Sequence, residues 1–336
     1  MTNDLKAAVI GLGVGARHII AYNEHPHCNV DIVCDFEQNA LDKILEEMPF
    51  LRTTKHADEV INDPNVNLLS IASYDHHHAE QIVHALEQGK HVFVEKPLCM
   101  NRKELDWIVS ALDRNPNLKL SSNLILRKSG RFIELKKRIE KGSLGETYHF
   151  EGSYDYGRLT KLTEGWRGTI PNYSVTHGGA IHLIDLILWL SGKKAVSAQA
   201  VGNKIPTQNS RFNGFSLTSA IIEFEDGSTA QITSNFASLT PHHHKLCVYG
   251  TLGTFEQSHL GAAYFNSRES NRPAEIVDTP YPGTPKGALL KDFIDSILGD
   301  MEPFPSKREV IEAMNISLAI DKSIITQKKE KISELI

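Results

Sequence analysis

The feature that most constrains this chain is the passage KAAVIGLGVGARH, where an apolar run from Lys6 breaks into glycines at Gly11, Gly13 and Gly15. A short strand that ends on glycines and runs straight into a helix-period segment is the opening of a β-α-β unit. Gly11 permits the tight turn, and Gly13 lets the backbone approach a pyrophosphate. The helix that opens at Ala16, where a third glycine is usual, offers free amides and the positive end of its dipole.

The same alternation repeats. Apolar runs at Lys6 to Gly11, Val30 to Asp35, Leu68 to Ala72, His91 to Glu95 and Leu118 to Asn123 read as strands. Leu41, Ile44, Leu45 and Met48 fall at helical spacing between them, as do Ile82, Ala85 and Leu86, with Asp75 as a cap and Gly89 as a stop. Right-handed crossovers stack such helices on both faces of one parallel sheet. This predicts a doubly wound α/β domain over residues 1–123. Asp35 ends the second strand about 24 residues after Gly11, where an acid accepts hydrogen bonds from both ribose hydroxyls of NAD and repels the 2'-phosphate of NADP. The plainer alternative is that Asp35 caps the next helix.

Residues 124–336 read differently. Helices are predicted at Arg131 to Lys141, Gly178 to Leu190, Leu289 to Leu298 and Arg308 to Thr326, and strands at Ala195 to Val201, Phe215 to Phe224, Thr229 to Ala237, Lys245 to Tyr249 and Thr254 to Gln257. Glu225-Asp226-Gly227 is the turn of a hairpin. The expectation is an α+β domain on a large, mainly antiparallel open sheet, one face covered and the other free for a partner. The tail Lys328 to Lys331 reads as a frayed helix end.

With 336 residues and a net charge of -5, the chain has no basic footprint for nucleic acid. Its longest apolar stretches are too short to span a membrane. Cys28, Cys34, Cys99 and Cys247 form no C-x-x-C pair, which points to a reducing, cytoplasmic setting.

Two stretches carry chemistry. In HVFVEKPL a core strand ends in Glu95, Lys96 and Pro97, and unpaired charge at a strand end belongs at a rim where a ligand satisfies it. A partly desolvated lysine beside a nicotinamide has its pKa lowered and can exchange a proton with a hydroxyl that becomes a carbonyl, with Glu95 orienting it. A surface salt bridge is the alternative. In SYDYGRLTKLTEGWRG, the cations Arg158 and Arg167 and the ring of Trp166 suit a phosphorylated or acidic substrate. The triplets His76 to His78 and His242 to His244 invite a metal, but consecutive strand residues point to opposite faces and no acid or cysteine stands at ligand spacing. No metal is expected.

GLGVGARH, NDPNVNLLSIAS, HHHAEQIVHALEQGKHVFVEKPL, SNLILRKSGRFIELKKRIEKGSLGE and VYGTLGTFE together resemble the glucose-fructose oxidoreductase, inositol dehydrogenase and rhizopine-catabolism (Gfo/Idh/MocA) family over nearly the whole chain. The resemblance implies an N-terminal Rossmann domain, a C-terminal open-sheet domain used for homodimer or homotetramer contacts, and NAD(P)-dependent oxidation or reduction of sugars, cyclitols or nucleotide-sugars. It makes Lys96 the active-site lysine and sets Ser73, His78 and Glu95 beside the cofactor. His182, in VTHGGAIHLIDL, matches the family's catalytic histidine. Gly178 falls where the family's aspartate stands, so either His182 works with Lys96 alone or His177, Tyr173, Tyr154 or Tyr156 substitutes. Asp185, three residues on, could instead hold His182 as a structural histidine. Asn123 and Arg127 are further substrate candidates, with Tyr154, Tyr156, Trp166, Arg167 and His177. The missing aspartate keeps two other readings open: a dinucleotide-sensing regulator, and non-redox cleavage or elimination in which the cofactor is restored within each cycle.

Overall fold

Strands β1 (Leu5–Ile10), β2 (Cys28–Cys34), β3 (Arg52–Thr54), β4 (Leu68–Ile71), β5 (His91–Val94) and β6 (Leu120–Ser122) form a parallel sheet in the order β3-β2-β1-β4-β5-β6. They belong to a computed structural model that describes residues 4–282, 284 and 287–334. Strand order reverses between β1 and β4, and an open sheet of this kind takes its ligand outside the carboxyl ends there. The strands are near-continuous apolar runs, with all four residues of β4 buried, because helices cover both faces. The helices are α1 (Ala16–Asn23), α2 (Gln38–Glu47), α3 (Ala57–Ile61), α4 (His78–Glu87) and α5 (Arg102–Arg114). The last has a reciprocal cap: Asn101 Oδ1 accepts from Glu104 N at 3.0 Å, and Glu104 Oε2 accepts from Met100 N at 2.7 Å. Asp75, expected to cap α4, begins a short 3-10 turn before it, and no side chain caps α4.

The core of this unit draws on residues far along the chain. Leu289, Leu290, Phe293 and Ile294, from the helix Ala288–Leu298, are buried with Leu5, Val9, Ile19, Tyr22 and Phe93. The rings of Phe93 and Phe293 lie 5.6 Å apart. The described residues thus divide into a first unit, residues 4–123 with 287–312, and a second, residues 124–282 and 284 with 313–334. This corrects the expectation that 124–336 forms one continuous domain. The apolar face of the late helix finds its complement in the first core.

The second unit is built on a nine-stranded sheet of β7 (Thr147–Asp155), β8 (Ala195–Asn203), β9 (Leu217–Phe224), β10 (Thr229–Asn235), β11 (His243–Gly250), β12 (Thr254–Ser258), β13 (Gly261–Phe265), β14 (Glu275–Ile276) and β15 (Glu330–Lys331). Its order is β14-β13-β12-β11-β7-β10-β9-β8-β15. All neighbours are antiparallel except β7 and β10. The helix Ile181–Ser191 packs on β7 at Gly152, where an added Cβ would stand 3.4 Å from Leu183 Cβ. Lys328 to Lys331 is corrected too: Glu330 and Lys331 pair with Ala198 and Ser197 as an edge strand, and Lys322 Nζ holds Glu330 at 2.6 Å. The helix Ile181–Ser191 is anchored by a buried ion pair in which Arg127 Nη2 donates to Asp185 Oδ1 at 2.6 Å, both side chains 1% exposed.

Candidate active site

In the first unit the site is made by strand ends. Gly11 has φ +89, and a Cβ there would stand 2.3 Å from the Ala72 carbonyl oxygen, so the turn after β1 lies against the peptide after β4 and admits only glycine. At Gly13 an added Cβ would meet nothing within 4 Å, which leaves the backbone open on the side where a pyrophosphate binds. At Gly15 it would fall 2.8 Å from Val9 Cγ1, so this glycine seats α1 closely on the sheet. The helix then begins at Ala16 with no acid in its first turn, a terminus electrically suited to an anion. Asp35 follows β2 and faces this turn: its Oδ2 accepts from Leu12 N at 2.7 Å and its Oδ1 from Glu37 N at 2.9 Å. The same carboxylate therefore braces the glycine turn and the approach to α2. Turn, open backbone, helix start and acid all fit a dinucleotide.

Lys96 follows β5, whose neighbours are β4 and β6. Glu95 N donates to the Ile71 carbonyl at 2.8 Å. Glu95 Oε1 accepts from Asn123 Nδ2 at 2.6 Å and lies 3.1 Å from His18 Nε2, while His18 Nδ1 lies 2.8 Å from Ser70 Oγ. A neutral His18 ring meets both partners by donating to Glu95 and accepting from Ser70. Burial alone would raise the Glu95 carboxyl, but the His18 ring, the Asn123 amide and the Lys96 charge together hold it below the ordinary carboxylate range. Glu95 thus faces Lys96 as an anion.

Two expectations in this unit change. His78 is fully buried, with ring nitrogens 2.7 Å from the Pro97 carbonyl oxygen and 3.1 Å from that of Ser73; it ties the Lys96-Pro97 loop to the loop after β4 instead of reaching a cofactor. Asn123 gives its amide to Glu95 and so supports the loop. Ser73 Oγ donates to Gln81 Oε1 at 2.7 Å, while its backbone lies over the glycine turn.

In the second unit the site is made of rings. Tyr154 on β7 and His244 on β11 are register partners, with ring centroids 5.1 Å apart. His182, on the first turn of its helix, lies 6.3 Å from Tyr154 and 5.8 Å from His244. Tyr156 stacks on Tyr154 at 5.5 Å and packs on Phe236 at 4.7 Å. Burial, then the neighbouring Tyr156 and Tyr173, push the Tyr154 hydroxyl well above its ordinary range, so it stays protonated. The packing depends on a π-turn at Thr176–Ala180. An added Cβ would stand 2.5 Å from the Tyr154 ring at Gly179 and 2.0 Å from the Tyr173 hydroxyl at Gly178. Arg167 Nε donates to that hydroxyl at 3.0 Å and stacks its guanidinium 4.3 Å from the Trp166 ring.

Two further expectations are corrected here. Arg127 is committed to Asp185 beneath the surface and does not present itself to a substrate. His177 is 2% exposed, with Nδ1 2.7 Å from Ser317 Oγ and Nε2 3.2 Å from Asp321 Oδ2; it secures a helix. Conversely, His242 and His244, read in sequence only as metal ligands, join the ring cluster. Strand alternation separates His243 from His244, and the pairing of β11 with β7 was the missing signal. Among the described residues no group of three or more His, Cys, Asp or Glu side chains is placed to hold a metal ion, and no helix is long and apolar enough to cross a membrane.

A six-stranded parallel sheet in this order, with a glycine turn after β1, defines the first unit as a dinucleotide-binding Rossmann domain. Residues 5–123 match the model of the Gfo/Idh/MocA oxidoreductase family, NAD-binding Rossmann fold, and residues 132–256 match that family's C-terminal domain. The chain belongs to the Gfo/Idh/MocA family of oxidoreductases, and NAD is the cofactor of its first domain. It is 22% identical to myo-inositol 2-dehydrogenase of Thermotoga maritima over 99% of this chain and 100% of that protein. It is 24% identical to an uncharacterised oxidoreductase of Bacillus subtilis over 88% of this chain and 84% of the relative. Among solved structures, levoglucosan dehydrogenase in complex with NADH and levoglucosan shares the fold with a TM-score of 0.85 at 21% identity, over 98% of this chain and 100% of that one.

Proposed function

We propose that this protein oxidises a hydroxyl of a sugar, cyclitol or nucleotide-sugar, or reduces the corresponding ketone. Oxidation takes a hydride from carbon and a proton from oxygen; NAD supplies the hydride acceptor. Lys96, with His182, exchanges the proton. The observation that carries this reading is Lys96 itself, set just past the carboxyl end of β5, beside the anionic Glu95 and in a loop that His78 and Asn123 help hold in place. Asp35 meets ribose hydroxyls well and a 2'-phosphate badly, which supports NAD over NADP.

The test is NADH absorbance with purified protein, NAD and a panel of sugars, cyclitols and nucleotide-sugars. Lys96→Met is expected to cut turnover by about 10²–10⁴-fold, the usual share of general acid-base catalysis, with NAD affinity far less affected. Normal turnover in that variant would sink the assignment. Silence across the panel, with NAD bound, would favour a dinucleotide-sensing regulator or an internally balanced cycle.

The proposal also places the enzyme in the cytoplasm, in keeping with four buried free cysteines. It assigns the uncovered sheet face, where Val201 is 69% and Ile221 42% exposed, to contacts in a homodimer or homotetramer. Light scattering that returns a monomer mass at micromolar concentration would overturn the oligomer.

A further inference from the structure

Tyr281, in the chain that follows β14, reaches back to the ring cluster of the second unit. Its hydroxyl lies 2.5 Å from Nδ1 of His244 on β11. Three neighbours set the plane of its ring: Phe132 meets it edge-on at 5.9 Å, His243 lies 4.9 Å away, and the Arg131 guanidinium stands 5.5 Å from its centroid. Arg131 and Phe132 come from the helix Gly130–Glu140, and both are buried.

Arg131 also holds the segment that delivers Tyr281. Its Nη2 donates to the Thr279 carbonyl, two residues before the phenol, and its Nη1 donates to Gln257 Oε1 at 3.1 Å. Gln257, on β12, is fully buried and gives its Nε2 to the His244 carbonyl at 2.8 Å. One guanidinium thus ties down the segment that carries Tyr281 and, through Gln257, the strand that carries His244. A rigid fork of several donors suits that task better than the single ammonium of a lysine.

A phenol and an imidazole nitrogen can pair with the hydrogen on either partner. Here the surroundings favour one arrangement. Burial pushes the Tyr281 hydroxyl well above its ordinary range, so it keeps its hydrogen; the His244 backbone amide, the Arg131 charge and the Gln257 side chain act the other way, as donors and positive charge near its oxygen do. A phenol oxygen faced by donors accepts from them, and its own hydrogen goes to the ring nitrogen 2.5 Å away.

Building on the proposed dehydrogenase reading, we infer that Tyr281 is a positioning residue of the candidate site: its phenol donates to Nδ1 of His244, fixes the plane of that ring and leaves the imidazole hydrogen on Nε2. In that tautomer His244 is a neutral donor at Nε2, whichever oxygen receives it, and not a proton acceptor there. Its ring stands at 90° to that of His182, 5.8 Å away. The two histidines therefore divide the work, His182 in proton exchange and His244 in hydrogen bonding.

Nitrogen NMR on the NAD-loaded protein, labelled at its histidines and with the His244 signals identified through His244→Gln, reads the tautomer. The wild type is expected to show His244 with its hydrogen on Nε2. Tyr281→Phe keeps the ring contacts and removes the hydroxyl. It is expected to move His244 off that single tautomer and to lower kcat/KM for NADH formation on sugar and cyclitol probes by about three- to tenfold, the worth of one neutral hydrogen bond, with NAD affinity unchanged. A merely structural Tyr281 would lower stability and leave the tautomer as it was. A wild-type spectrum with the hydrogen on Nδ1 would overturn the inference whether or not the variant folds. So would a tautomer, or a rate, that stays unmoved in folded Tyr281→Phe. A tautomer fixed in the wild type and lost in the variant, with no NADH from any probe, would overturn the dehydrogenase reading alone.

Discussion

The two units build their candidate functional groups from different materials. In the first unit the main chain does the placing: Gly11 lies against the Ala72–Ser73 peptide, Gly13 leaves the backbone open, and Lys96 stands where a strand stops. In the second unit side chains do it, with Tyr154, His182 and His244 reaching one cluster from two strands and a helix. A site made of backbone suits a ligand that never changes, because few substitutions can alter it without breaking the turn. A site made of rings can be revised one side chain at a time.

That contrast can be broken or sharpened by substitution. The largest loss of stability is expected from Arg127→Met, which takes the guanidinium away from the buried Asp185 carboxylate at a cost of about 3–5 kcal/mol; the double variant with Asp185→Leu should recover much of it. Urea unfolding checks this, and an unchanged midpoint in the single variant would refute the buried pair.

Two glycine variants come next and should behave oppositely. Gly178→Ala meets the Tyr173 hydroxyl and is expected to lose about 1–3 kcal/mol through overpacking, with NAD affinity unchanged and part of the loss relieved by Tyr173→Phe. Gly13→Ala has room in the fold and is expected to keep stability within about 0.5 kcal/mol while weakening NAD binding in fluorescence titration. If the two variants behave alike, the contrast fails.

The smallest effect concerns pH. The Glu95 carboxyl titrates near its ordinary 4.5 when unfolded and lower in the fold. Between those values the unfolded chain binds more protons, so the Glu95 contribution is fully present above about 4.5 and is lost as pH falls through the lower, folded value. Glu95→Gln should flatten the acid limb of stability against pH below that point, and an unaltered slope would show that the carboxylate is not held as described.

The first unit's groups were the more legible in sequence for the same reason that they are built of backbone. Glycine spacing and strand ends are local, and GLGVGARH, Asp35 and HVFVEKPL can each be read in place. The second unit's cluster depends on which strands become neighbours. β7 is not legible as a strand in sequence because Glu151 and Gly152 interrupt its apolar alternation, yet Gly152 is what lets the helix Ile181–Ser191 approach. Without β7, nothing in the sequence brings Tyr154 beside His244. Arg127 and His177 looked like binding groups because charge is visible in sequence and burial is not. Gly178 looked like a loss, whereas the Tyr173 hydroxyl fills its space.

The late helix that completes the first core has a consequence for how the protein is made. Leu5, Val9, Ile19 and Tyr22 leave the ribosome early, but Leu289 and Phe293, which cover them, follow the end of β6 at Ser122 by 167 and 171 residues. At a synthesis rate of roughly 5–20 residues per second, the unfinished sheet carries an open apolar groove for on the order of ten to thirty seconds. During that interval the nascent domain is a client for chaperones, and a fragment cut at Asn123 would keep that exposure permanently.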